Sequence, residues 1–146
     1  MPETHTARLW SIAVKRRYAA AHTLRSTRLS DAENAATFGK CANPSGHGHD
    51  YIIEFIVRAD VLHDDVVVAR GELDSLLDAY VTPRFAYRNL NESFGAEFVT
   101  SGENLAIAAW ELLADHLPQG VHLTIRLEET RKNSFVYSGP LPAQRR

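Results

Sequence analysis

The sequence has one cysteine and one methionine in 146 residues. A lone thiol cannot close an internal disulfide, so the fold must rest on its core, and a single free cysteine fits a reducing compartment. No apolar run approaches the roughly 18 residues that read as a membrane span. The opening MPETHTARLW lacks a basic start followed by an apolar stretch, which argues against a signal peptide. Net charge is −2, with no basic stripe for a nucleic acid and no block of one sign. Internal repeats and low-complexity segments are missing too. These absences leave a single domain over residues 1–146, with a core over about 9–138 and short flexible termini. A cytoplasmic location is expected, with no nucleic-acid or membrane partner. A chain of this length buries roughly 68–70% of the surface of its unfolded form, enough for a core without staples.

What is present is concentrated. Residues 41–51 read CANPSGHGHDY, placing Cys41 a few residues before the pair His47 and His49. Residues 9–22, LWSIAVKRRYAAAH, alternate as a strand does, with Trp10, Ile12, Val14, Tyr18, Ala20 and His22 on one side. Arg16 interrupts that row. Residues 23–46 read as polar and irregular, with NPSG as a turn signal. From His47 the alternation resumes, and period 2 sets His47 and His49 on the face of Tyr51, Ile53, Phe55 and Val57.

Leu73, Leu76, Leu77 and Tyr80 predict a helix over about 72–81, stopped near Pro83. Ser101 is a good N-cap for a second helix, whose apolar stripe is Leu105, Ala108, Ala109, Leu112, Leu113 and His116. Residues 121–129 alternate again, with Val121, Leu123, Ile125 and Leu127 inward and the row ending on Glu129. A short strand, SFVYS, follows. The order strand, strand, helix, helix, strand, strand gives an α+β sandwich: an antiparallel sheet with helices packed on one side.

Histidines at i and i+2 on one strand face, with His22 ending a neighbouring strand on its inner face, can converge on a metal. Three imidazoles with an open fourth position is a catalytic zinc arrangement, able to polarise a substrate oxygen. The same pattern also arises when strand-end histidines simply bond to backbone. Glu129 is costly in an apolar row unless it is solvated or accepts hydrogen bonds from a donor-rich ring. Glu103 fits the first turn of a helix, where the dipole favours an acid. His5, His63, His116 and His122 read as surface or helix-face residues.

Four segments together resemble the 6-pyruvoyl-tetrahydropterin synthase family, which includes the 6-carboxy-tetrahydropterin synthases: YAAAH (18–22), FGKCANPSGHGHDY (38–51), SGEN (101–104) and EETRKNSFVY (128–137). The resemblance implies the T-fold (tunnelling) sandwich, with an antiparallel four-stranded sheet and two helices on one face. It implies a homo-hexamer built as a dimer of trimers, with active sites at subunit interfaces. It implies Zn2+ held by His22, His47 and His49, a catalytic thiol at Cys41, and a pterin pocket containing Glu103, Glu129 and Thr130. The implied substrate is 7,8-dihydroneopterin triphosphate.

One segment departs from the family. Where its members carry an Asp-His pair, RFAYRNLNE (84–92) aligns Ala86 and Tyr87. An imidazole oriented by a carboxylate relays protons well; a phenol with a reference pKa of about 10 is a poor base near neutrality. In GELDS (71–75), Glu72 and Ser75 replace a Met and an Asp. Three readings follow. The chain is a zinc-dependent lyase on the family substrate or a pterin-like relative, with Tyr87 as a catalytic acid or donor beside Cys41 and Glu129. Alternatively it performs a different zinc-assisted carbonyl reaction, an aldol, retro-aldol or condensation, on a non-pterin substrate in a secondary pathway. Or it is a non-catalytic pterin-binding protein.

Overall fold

In the computed structural model of the chain, which describes residues 8–141, two long strands set the frame. β1 (Trp10–His22) and β2 (His47–Ala59) pair antiparallel along a continuous ladder from Trp10↔Ala59 to His22↔His47. β4 (His122–Thr130) pairs with β2, and β5 (Asn133–Tyr137) with β4, both antiparallel. The four long strands match the expected antiparallel sheet. A fifth, two-residue strand, β3 (Arg88–Asn89), adds parallel to β1 at its far edge, giving the order β3-β1-β2-β4-β5.

The predicted inner rows are the core. Val14, Tyr18, Tyr51, Ile53, Phe55, Val57, Leu123, Ile125 and Leu127 form one cluster with the helical residues Leu73, Leu77, Leu105, Ala109 and Leu113. Arg16 stays in the inner row because its guanidinium bonds to Asp74 and Asp78, each at 2.9 Å. Those acids lie one helical turn apart, so the charge is answered from one helix face.

The helices differ from expectation in two places. Helix α2 (Arg70–Leu76) does not stop before Pro83. It widens into a π turn over Leu77–Val81 and continues as α3 (Thr82–Phe85), with Pro83 in the first turn of the new segment. Proline lacks the N–H a helix interior needs, but a first turn needs none there. Residues 23–46 are not wholly irregular either. They contain α1 (Asp31–Phe38) and a 3-10 turn, Gly39–Ala42. Ser30 and Glu33 form a reciprocal capping box at the start of α1. Its one buried residue is Asn34, whose amide donates to the carbonyls of Ser26, Leu29 and Ser30. Helix α1 therefore carries no apolar stripe for periodicity to find. A short α4 (Leu90–Phe94) precedes α5 (Gly102–Ala114), which Ser101 caps as expected by accepting from the Asn104 N–H.

The start of α5 is pressed against β5. A Cβ added to Gly102 would lie 2.0 Å from the Phe135 ring. Gly102→Ala should therefore destabilise the fold by about 1–3 kcal/mol, the usual range for overpacking. Urea unfolding is the measurement, and truncating the ring with Phe135→Ala in the same chain should recover part of the loss. An unchanged midpoint for Gly102→Ala would contradict the packing.

Candidate metal centre

The ladder between β1 and β2 fixes where the histidines go. His22 faces His47 across the strands, and His49 faces Ala20. All three rings emerge on the inner face at one end of the sheet. His22 is 1% exposed, while His47 and His49 are half-buried.

The contacts orient the rings. His22 Nδ1 lies 3.0 Å from the Thr100 carbonyl, which can only accept, so Nδ1 carries the proton and donates. That leaves Nε2 of a neutral His22 as a lone pair, and it sits 3.0 Å from His47 Nε2. Metal-binding histidines are characteristically oriented in this way, through a carbonyl on the other ring nitrogen. The Tyr51 hydroxyl lies 3.3 Å from the same His22 Nε2. Burial, followed by the nearby carboxylate of Glu129, raises the Tyr51 pKa and keeps it a donor.

Burial dominates the histidines too. It lowers His22 from 6.5 to about 4, with the neighbouring His47 and His49 pushing the same way and the Thr100 bond opposing. Burial also lowers His49, against the attraction of Glu129. The His49 Nε2 atom is buried without a hydrogen-bond partner, although Glu129 Oε1 is only 3.1 Å away. An orphaned ring nitrogen amid imidazole lone pairs and a carboxylate matches the donor set of a divalent, zinc-type ion. Ligand atoms of His22, His47, His49 and Glu129 all lie within 4.8 Å of one another.

The remaining expected site residues lie around this cluster or away from it. Glu129 ends the apolar row of β4 and is the residue inserted where the β4–β5 register shifts between Glu128 and Thr130. Its side chain is 12% exposed. Thr130 is exposed and donates to Asn133 in the hairpin. Cys41 is half-buried in the 3-10 turn that leads into β2, and its carbonyl accepts from the Leu24 N–H. Glu103 is exposed in the first turn of α5, outside the four-residue cluster. Tyr87 is 91% exposed at φ 56°, a left-handed conformation rare for an aromatic residue, held by its N–H donating to the Ala19 carbonyl. It lines an open groove of about 570 Å³ with Ala20, Gly48, His49, Asp50 and Arg88. Ala86 packs against the core. Of the other histidines, His116 stacks on Tyr80 with centroids 3.6 Å apart, His63 bridges to Val66, and His122 is exposed. His5 lies outside the described residues.

Sequence reasoning missed Thr100, which is fully buried and orients His22 from 78 positions away. A threonine just before an N-cap carries no signal for that role.

The sequence model of the family described as 6-pyruvoyl tetrahydropterin synthase matches residues 11–140. The chain belongs to that family. It is 38% identical over 127 residues to the 6-pyruvoyl tetrahydrobiopterin synthase of Poecilia reticulata, covering 84% of this chain and 85% of the relative. It is 34% identical over 125 residues to the human protein of the same name, covering 84% and 86%. The solved structure of Caenorhabditis elegans 6-pyruvoyl tetrahydropterin synthase superposes with a TM-score of 0.84 at 34% identity, covering 91% of this chain and 97% of that one. The Plasmodium vivax synthase, at 10% identity and a TM-score of 0.65, shares the fold. The 6-pyruvoyl tetrahydropterin synthase family thus accounts for the sheet, the helices and nearly the whole length.

The histidine environment predicts acid sensitivity of the metal-free protein. A group whose pKa is lowered by folding contributes stability that is full above pH 6.5 and is lost as pH falls towards about 4. The unfolded chain binds the proton that buried His22 refuses. Unfolding free energies from urea titrations in a chelator should fall across this window by up to about 3 kcal/mol more than those of His22→Gln. Parallel pH profiles for the two proteins would contradict a neutral His22.

Proposed function

We propose that the protein is a zinc-dependent lyase of the 6-pyruvoyl tetrahydropterin synthase type, acting on 7,8-dihydroneopterin triphosphate or a close pterin relative. The observation that carries this reading is the convergence of three imidazoles at one strand end, with His22 oriented by Thr100 so that Nε2 faces the other two. Family membership over residues 11–140 supplies the reaction class. His22, His47 and His49 would hold the zinc, which when bound polarises an oxygen of the substrate side chain. Loss of triphosphate and rearrangement of the side chain require protons to leave carbon and return. Cys41, the single thiol, is the group proposed to move them. Glu129 and Glu103 would accept the N–H edge of the pterin ring, with Thr130 beside them.

Support for an assembly comes from placement. Glu103 is exposed and falls outside the histidine cluster, as a residue completing a neighbouring subunit's site would, and Tyr87 is exposed on the groove it shares with His49. We propose the hexamer of stacked trimers, with Tyr87 as a proton donor at the groove.

One observation favours a second reading. Ala86 packs in the core and cannot orient a neighbour, and Tyr87 is a poor base. The Asp-His relay of the family has no counterpart at these positions. A zinc-assisted carbonyl reaction on another substrate, using Cys41 and Glu129 alone, would suit that deficit.

The metal is common to both readings, and two activity measurements separate them. The purified protein should carry about one zinc per chain and lose it on His47→Ala, as a three-histidine site requires. Incubated with dihydroneopterin triphosphate, it should release inorganic triphosphate, and Cys41→Ala should reduce that release by about 10²–10⁴-fold, the range for a positioned acid–base. Pterin binding without release would favour the second reading or a non-catalytic pterin-binding protein. Separately, Ala86→Asp with Tyr87→His should raise the turnover rate if the pocket is pterin-shaped. No gain, in protein that still binds zinc, would count against the pterin substrate.

A further inference from the structure

Glu129 approaches the imidazoles more closely than a residue that only anchors a substrate ring needs to. Its Oε1 lies 3.1 Å from His49 Nε2 and 3.6 Å from His22 Nε2, and His22 Nε2 lies 3.0 Å from His47 Nε2. In a tetrahedral site with bonds of about 2.0–2.2 Å, ligand atoms stand about 3.3–3.6 Å apart. Two of the three observed separations fall 0.2–0.3 Å short of that spacing and the third lies at its upper end, and the four ligand atoms lie within 4.8 Å of one another.

The short contact to His49 is not a hydrogen bond, because that nitrogen is buried and unpartnered beside the carboxylate. A ring nitrogen buried 3.1 Å from a carboxylate oxygen and not hydrogen-bonded to it is left unanswered, and a cation between the two would satisfy both. Among the described residues Glu129 forms no ion pair with a lysine or arginine that would otherwise explain its burial. The backbone adds an independent reason. Glu129 stands at the register shift between Glu128 and Thr130, and such bulges re-aim a side chain beside a site.

We infer that Glu129 is a displaceable fourth ligand that closes the metal centre while no substrate is bound. This rests on the reading of His22, His47 and His49 as metal ligands. The resting centre is then a closed three-histidine, one-carboxylate set. A guest enters by exchanging one of its oxygens for the carboxylate, with no bond to carbon made or broken and no change in the carboxylate's charge. The displaced Glu129 stays beside the guest as a hydrogen-bond acceptor, so its ligand role and its ring-anchoring role alternate.

The test uses the full chain loaded with cobalt(II), titrated with imidazole and followed by visible absorption. Imidazole is neutral, so deleting a negative charge does not by itself favour its binding. Wild type should need at least about tenfold more imidazole to reach half-change than Glu129→Ala or Glu129→Gln. Equal midpoints in the three proteins would overturn the inference while leaving the metal site intact. Wild type that takes up neither cobalt nor zinc would overturn the metal reading beneath it, which is a separate outcome. Where a variant does not retain cobalt, the wild type decides alone. With cadmium-113 bound and glutamate carboxyls labelled with carbon-13, one carboxyl should show scalar coupling to the metal. No coupled carboxyl would refute the inference.

Discussion

The register of β1 against β2 is the constraint on which the rest depends. Side chains alternate along a strand, so a slip of one residue would turn His22 away from His47 and every core residue of the strand to the other face. The ladder from Trp10↔Ala59 to His22↔His47 leaves no such freedom. Tyr18, Tyr51, Ile53 and Phe55 are buried to within a few per cent, and their burial is what holds the register. The site is thus positioned by the hydrophobic core two to eight residues away rather than by its own contacts. Burying a large apolar side chain stabilises by about 1.5–3 kcal/mol, so several of them outweigh the desolvation of a few imidazoles.

Much of this was legible in the sequence, because period 2 and period 3.6 were clean where apolar burial decides. The two long strands, the Ser101 cap, the face of His22, His47 and His49 and the inward aim of Glu129 all followed from spacing. What was not legible has a common cause. Helix α1 is held by the amide of Asn34 and by a capping box, so it lacks an apolar period, although S-x-x-E at Ser30 to Glu33 was there to be read. The two-residue strand β3 exists through long-range pairing with Ala20 and Ala21, which no local pattern encodes. The helix across Pro83 depends on a π turn that precedes it. Thr100 reaches His22 only once α5 has docked.

The same division applies to the chemistry. The histidines were visible as a motif because a strand brings i and i+2 together without help. The proximity of Glu129 to them was not, because it requires three strands in register and a bulge at the end of β4. The sequence pattern placed Glu129 in the apolar row, where a donor-rich ring could answer its carboxylate, but gave no distance. The structure supplies the distance to His49.

Local rules are broken at Arg16, His22, Glu129 and Tyr87, and the way each break is resolved separates structure from function. Arg16 interrupts an apolar row, but Asp74 and Asp78 answer its charge, so the break is closed by stabilising partners. His22 is buried, and only one of its ring nitrogens has a hydrogen-bond role that the fold itself requires. Glu129 is nearly buried beside a nitrogen with which it makes no hydrogen bond. Tyr87 holds a left-handed backbone conformation that costs an aromatic residue about 1–2 kcal/mol, while its side chain meets mostly solvent. The last three gather at the end of β1, around His49 and the groove it shares with Tyr87. Among the described residues, none of the three is met by a pair of side chains as Arg16 is by Asp74 and Asp78. Consistency between local and global structure is the rule for a folded sequence, and uncompensated exceptions that cluster in space mark where something other than stability has shaped it. That reasoning singles out the end of β1 without reference to any relative, and it excludes Arg16, which a search for unusual residues alone would have kept.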